Sequence, residues 1–216
     1  MEYRTKDRNE IKIVVVGNSG TGKTSFVNRW VKNTFTENYK ATISSEFSFK
    51  IFEDNGTLYR IQLWDLAGMD QNICITKVFS KDAHGVIVFS DVTNEKSLQE
   101  SVKWKSSVDE STKFIDDDYL PSILIRNKID LLDENGTNDD EQVKEFAEKN
   151  NFLNVFKCSC KLDIQINEAM EYLISKIIER LDKCFSKGKF ETERSSIILR
   201  SSKSIHNTID NQSPCC

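Results

Sequence analysis

The run Gly17-Asn18-Ser19-Gly20-Thr21-Gly22-Lys23-Thr24 fits the spacing G-x-x-x-x-G-K-[ST]. These residue types suit one task, the cradling of a polyphosphate. Small residues let backbone N–H groups turn inward, and a helix opening at Lys23 adds the positive end of its dipole. Lys23 is long enough to reach β and γ phosphates, and the Thr24 hydroxyl can ligate Mg²⁺. Asn18, Ser19, Gly20, Thr21, Gly22, Lys23, Thr24 and Ser25 are therefore the expected phosphate contacts.

A second run, Asn127-Lys128-Ile129-Asp130, addresses the base. A carboxylate at Asp130 can accept from an N–H and an exocyclic amine on one edge, a pair that guanine offers and adenine does not. Asn127 either reads the other edge or ties the loop down. The Lys128 stem can cover the ring face. Alone, this spacing also suits a simple loop cap; behind a phosphate loop it points to guanine. Ser159-Cys160-Lys161 follows a strand and can close over the base through backbone N–H groups. The acidic run Asp116-Asp117-Asp118 reads as a solvated loop, because consecutive carboxylates repel, and Asp109 and Glu110 are expected to face solvent as well. Two His residues leave little for a His-based zinc site.

Strands and helices must alternate to bring these loops together. Ile11–Val16 reads as a strand and Lys23 to about Val31 as an amphipathic helix. Glu46–Phe52 and Leu58–Trp64 flank Asn55-Gly56, a strong hairpin signal. Gly85–Ser90 and Ser122–Arg126 are nearly all apolar, as buried parallel strands require. Val155–Ser159 fits a sixth strand. Helices fit 94–111, 140–150 and 167 to about 183, the last with Met170, Leu173, Ile177 and Leu181 on one face. The expected fold is α/β: a P-loop NTPase domain with a six-stranded, mostly parallel sheet, one antiparallel strand, and helices on both faces. Phosphate loop and base loop then meet at the carboxyl ends of the strands.

With 216 residues, the chain suits one domain and a tail. The expected division is an extension over 1–9, a nucleotide-binding domain over 10–183 and a polar tail over 184–216, with seven Ser between 186 and 216. A net charge of −4 provides no field for nucleic acid. The apolar runs near Val14 and Val86 are too short to span a membrane, and six scattered Cys suit a reducing compartment.

Together these motifs resemble the Ras superfamily of small GTPases, and within it the Rab family, over about residues 10–183. The resemblance implies GTP and GDP as ligands with Mg²⁺. It places Phe35 against the guanine and makes Tyr39 and Thr42 part of the first switch, with Thr42 a Mg²⁺ ligand in the GTP state. Trp64-Asp65-Leu66-Ala67-Gly68 resembles W-D-x-A-G, so that Asp65 holds Mg²⁺ through water and the Gly68 N–H meets the γ-phosphate. Lys23, Thr42, Gly68 and the residue at 69 are then the catalytic positions. Phe47, Trp64 and Phe79 match the aromatic triad that effectors read. Leu66 and the lysines Lys103 and Lys105 beside Trp104 are similar to the subgroup serving lysosome-related organelles.

The match departs at Met69, where the family has a water-orienting Gln. A thioether offers no N–H and accepts poorly. Slow intrinsic hydrolysis, rescued by an activating protein, is one consequence; a GTP-bound, non-hydrolysing scaffold is the other. Asp70 replaces the following Glu, and Ile43-Ser44-Ser45-Glu46 departs from the family's first switch.

Cys215-Cys216 is similar to a double-cysteine prenylation site. Two lipid chains would give stable anchoring, and the tail's five basic residues outnumber its three acidic ones. The resemblance implies effector proteins, an exchange factor, an activating protein, and prenylation and membrane-extraction chaperones as partners. It implies residence in the cytosol and on the cytoplasmic face of an endosomal, lysosome-related or Golgi-derived membrane.

Overall fold

β-branched, apolar runs and amphipathic helical runs alternate along the chain, and that alternation builds the sheet. A computed structural model describes residues 9–37, 42, 45–68, 73–132 and 140–186. The strands are β1 (Glu10–Gly17), β2 (Glu46–Asp54), β3 (Thr57–Asp65), β4 (Gly85–Asp91), β5 (Ser122–Asn127) and β6 (Asn154–Cys158). The helices are α1 (Lys23–Lys32), α2 (Ile73–Phe79), α3 (Glu95–Ser111), α4 (Asp140–Lys149) and α5 (Ile166–Ser186).

The six strands run in the order β2-β3-β1-β4-β5-β6. β2 and β3 pair antiparallel through the Asn55-Gly56 turn, and every other pair is parallel. Every residue of β4 and β5 is buried, which requires cover on both faces of the sheet. Ile13, Val15, Ile87, Val88, Ile123 and Ile125 are fully buried and form its centre. α1 packs on β1 to β3, with Phe26 edge-to-face on Phe89 at 5.2 Å.

By contact density the chain divides into two units, residues 1–177 and 178–216. The described part of the second unit is the end of α5, Ile178–Ser186.

Three local differences from the sequence reading stand out. α2 carries no sequence signal that marks it as a helix. Residues 184–186 continue α5 instead of starting a tail, because Cys184 extends the apolar stripe through Ile177 and Leu181 and is itself buried. Asp109 does not face solvent: it pairs at 2.5 Å with Lys105, which is buried on α3. Glu110 is exposed and reaches Lys77 at 3.5 Å. Among the described residues, no helix is long and apolar enough to cross a membrane.

Candidate functional site

The turn between β1 and α1 is shaped by backbone contacts. The Lys23 ammonium donates to the carbonyls of Gly17 at 2.8 Å and Asn18 at 2.9 Å. The ammonium is thereby fixed inside the turn. Gly22 sits in the left-handed region, and a Cβ there would collide with the Asn127 amide. At the far side, the Ser19 N–H donates to the Gly68 carbonyl at 2.7 Å. A Cβ on Gly68 would strike the backbone of Asn18 and Ser19 and the tip of Lys23. The loop after β3 therefore approaches the phosphate loop as closely as only glycine permits.

Three oxygen-bearing side chains converge beside Lys23. Thr24 Oγ1 lies 2.8 Å from Thr42 Oγ1 and donates to Asp65 Oδ2 at 2.5 Å. Asp65 is buried, and its Oδ1 has no partner among the described residues. Burial raises the Asp65 carboxyl to about 6 against the opposing pull of Thr24 and Lys23; burial lowers Lys23 to about 8, opposed by Asp65. Two hydroxyls and one carboxylate, with one of its oxygens orphaned, are a hard-oxygen donor set suited to Mg²⁺.

The base-side loops are tied to the phosphate loop. The Asn127 amide is engaged at both ends. Nδ2 donates to the Thr21 carbonyl at 2.9 Å, and Oδ1 accepts from the Cys160 N–H at 3.3 Å. Lys128 takes a left-handed conformation (φ 72°) and pairs with Asp91 at 2.6 Å. Burial works against the charge of Asp91, yet bonds from Lys128 and Thr93 hold its carboxyl below the ordinary range. Ser159 Oγ donates to Asp130 Oδ1 at 2.5 Å and accepts from the Leu162 N–H, which orients the carboxylate. Burial pushes the Cys160 thiol up to about 12, so it is a neutral packing group.

One cleft of about 630 Å³ joins the two ends. Ser19, Gly20, Gly22, Lys23, Thr24, Ser25, Thr42 and Gly68 line it at one end. Phe35, Asn127, Lys128, Asp130, Cys160 and Lys161 line it at the other. Asn18, Thr21 and Ser159 do not: Thr21 and Ser159 are buried behind it, and the Asn18 side chain turns toward α3. Tyr39, Met69, Cys215 and Cys216 lie outside the described residues.

Two contributors escaped the sequence reading. Arg29 on α1 donates to the Cys160 and Lys161 carbonyls at 3.0 and 3.2 Å and lies 5.8 Å from the Phe35 ring. Asp91 anchors Lys128. Both act across large sequence distances, so no local pattern marks them.

Outside the cleft, Phe47, Trp64 and Phe79 form a chain of rings with centroids 5.2 and 5.6 Å apart. Phe47 is 46% exposed, and Phe49 and Ile51 continue the exposed row along β2.

Comparison with known proteins agrees with this geometry. The model of the Ras family matches residues 12–179. The chain is 34% identical to the Ras-related protein Rab-32 of Homo sapiens over 168 residues, 77% of this chain and 74% of that protein. It is 37% identical to Rab-32C of Dictyostelium discoideum over 169 residues, 78% and 74% of the two chains. It is 33% identical to Rab-7L1 of Homo sapiens over 168 residues, 77% and 82%. With a phosphate loop, a hard-oxygen cluster and a base loop facing one cleft, and with that span of matched sequence, this chain belongs to the Ras family of small GTPases and is Rab-like within it.

Proposed function

We propose that this chain is a membrane-tethered switch in vesicle traffic, which binds GTP with Mg²⁺, recruits effectors in that state, and hydrolyses GTP slowly. The observation that carries the reading is the single cleft with Lys23, Thr24, Thr42 and Asp65 at one end and Asp130 at the other. The residues present fit the metal. Thr24, Thr42 and Asp65 would hold Mg²⁺, which supplies charge neutralisation for the phosphates.

The chain's own groups do the rest. Lys23, fixed by two carbonyls, presents its charge to the β and γ phosphates. The N–H groups of the phosphate loop bind the same oxygens. Asp130, oriented by Ser159, accepts from the guanine edge. Phe35, backed by Arg29, covers the ring. Thr42 and Gly68 come from separate loops and reach for one γ-phosphate. Its loss removes their shared anchor, and effectors read the difference at the ring row Phe47, Trp64 and Phe79. The pair Cys215 and Cys216 carries the lipid.

Met69 makes hydrolysis slow, because no amide orients the attacking water. This same residue favours a second reading, a GTP-bound scaffold that an activating protein never resets. Chromatography of nucleotide released from freshly purified protein separates the two. GDP is the expected product, and recovery of GTP alone would favour the scaffold. Recovery of adenine nucleotide, or of none, would sink the proposal. Met69→Gln should accelerate single-turnover phosphate release by roughly 10²-fold, the size of one well-placed water-orienting group. An unchanged rate would clear Met69 as the cause.

A further inference from the structure

Asn18 stands in the phosphate loop, yet its side chain is held by α3. The Trp104 indole Nε1–H donates to Asn18 Oδ1 at 2.6 Å. Asn18 Nδ2 in turn donates to Glu100 Oε2. The two partners sit four positions apart and so share one face of α3. An indole only donates and a carboxylate only accepts, so one amide bridges them in a single orientation. Trp104 is buried, and Glu100 is further steadied by Lys96 at 3.5 Å.

The main chain of Asn18 faces the other way. Its carbonyl accepts from the Lys23 ammonium at 2.9 Å and from Thr21 Oγ1 at 2.8 Å. The next N–H, that of Ser19, donates to the Gly68 carbonyl. Asn18 therefore links α3 to the phosphate-binding lysine, and its neighbour Ser19 ties the same turn to the loop after β3.

We propose that Trp104 and Glu100 are positioning residues: by clamping the Asn18 side chain, α3 fixes the Asn18 carbonyl and the Lys23 ammonium it holds, and thereby governs nucleotide retention. The proposal rests on reading the cleft as a guanine-nucleotide site. The clamp touches no nucleotide. It acts through the placement of Lys23 and Ser19.

The test is release of a fluorescent GDP, mant-GDP, from the full chain with Mg²⁺ present and unlabelled GDP as chase. Asn18→Asp sets two carboxylates face to face and should speed release roughly tenfold, the loss of one charge-assisted bond. Adding Glu100→Gln rebuilds that bond with donor and acceptor exchanged, and release should return to within about threefold of the unaltered chain. Trp104→Phe removes the indole donor and should also speed release. In an Asn18→Ala background it should add less than about twofold, since its partner is gone. Melting temperatures taken in parallel separate retention from folding. Release from Asn18→Asp at the unaltered rate, no recovery in the double variant, or full additivity of Asn18→Ala and Trp104→Phe would each overturn the clamp. If the unaltered chain does not hold mant-GDP, the nucleotide reading falls and the clamp with it. If it does and every variant matches it, the clamp alone falls.

Discussion

Gly68 shows how much one missing methyl group decides. Its carbonyl receives the Ser19 N–H, and the space where a Cβ would stand is filled by the backbone of Asn18 and Ser19 and by the tip of Lys23. Gly68→Ala must push the loop after β3 off the phosphate loop or displace the lysine. Breaking that bond and crowding the lysine costs about 1–3 kcal/mol. Single-turnover hydrolysis should fall by roughly tenfold or more, by the same range, while the global melting temperature moves little. A variant that hydrolyses GTP at the unaltered rate would show that the two loops do not need this approach. The motif spacing made Gly68 legible as a position, but not the collision that requires glycine there. That depends on a contact across about fifty residues of chain, which only the β1–β3 pairing creates.

At the scale of elements, the strands and long helices were legible because period and burial agree. β4 and β5 read as apolar runs and are buried throughout. α5 presents Met170, Leu173, Ile177 and Leu181 as a buried stripe. α2 was not legible. It is seven residues long, and Ile73, Ile75, Thr76 and Val78 are β-branched, poor material for a free helix. Its seat is tertiary: Lys77 pairs with Glu110 of α3, and just past the helix Ser80 shares a hydroxyl contact with Ser111 at 2.7 Å and accepts from Thr112 Oγ1 at its carbonyl. Arg29 and Asp91 were missed for the same reason, since each finds its partner only after the sheet assembles. α1 depends on packing in a simpler way. Phe26 is fully buried against Phe89, so Phe26→Ala should cost about 3–5 kcal/mol from lost contact and cavity. Denaturant titration would register this as a lower midpoint at constant slope. A loss under about 1 kcal/mol would mean that α1 collapses into the gap.

For the molecule as a whole, one imidazole links stability to pH. His84 precedes β4; its N–H donates to the Lys12 carbonyl at 2.8 Å, and its Nδ1 accepts from the Lys12 N–H at 3.0 Å. Burial lowers its pKa to about 4, with nearby Lys12 acting in the same direction and Asp82 against it. The unfolded chain carries an ordinary imidazole near 6.5 and binds a proton that the folded chain refuses. Folding free energy is therefore full above pH 6.5 and declines as pH falls toward 4, by about 3 kcal/mol from this group. His84→Asn keeps an acceptor without the titration and should flatten that slope in urea titrations between pH 7 and 5. An unchanged slope would assign the acid sensitivity to other groups.

The position of β2 has a cost for the isolated protein. It lies at the end of the sheet and pairs, among the described residues, only with β3. Its segment Phe47-Ser48-Phe49-Lys50-Ile51-Phe52 holds three rings and one charge. That charge is spent inward, because Lys50 donates to the Trp30 carbonyl at 2.8 Å and lies over the Trp30 ring. Within these six residues no outward charge guards the outer row of backbone donors and acceptors, which has no strand partner among the described residues and lies beside exposed Phe47 and Phe49. Only the flanking Glu46 and Glu53-Asp54 oppose its use as a cross-β template. A partner strand laid along this edge would cover that row and oppose pairing between copies of the chain.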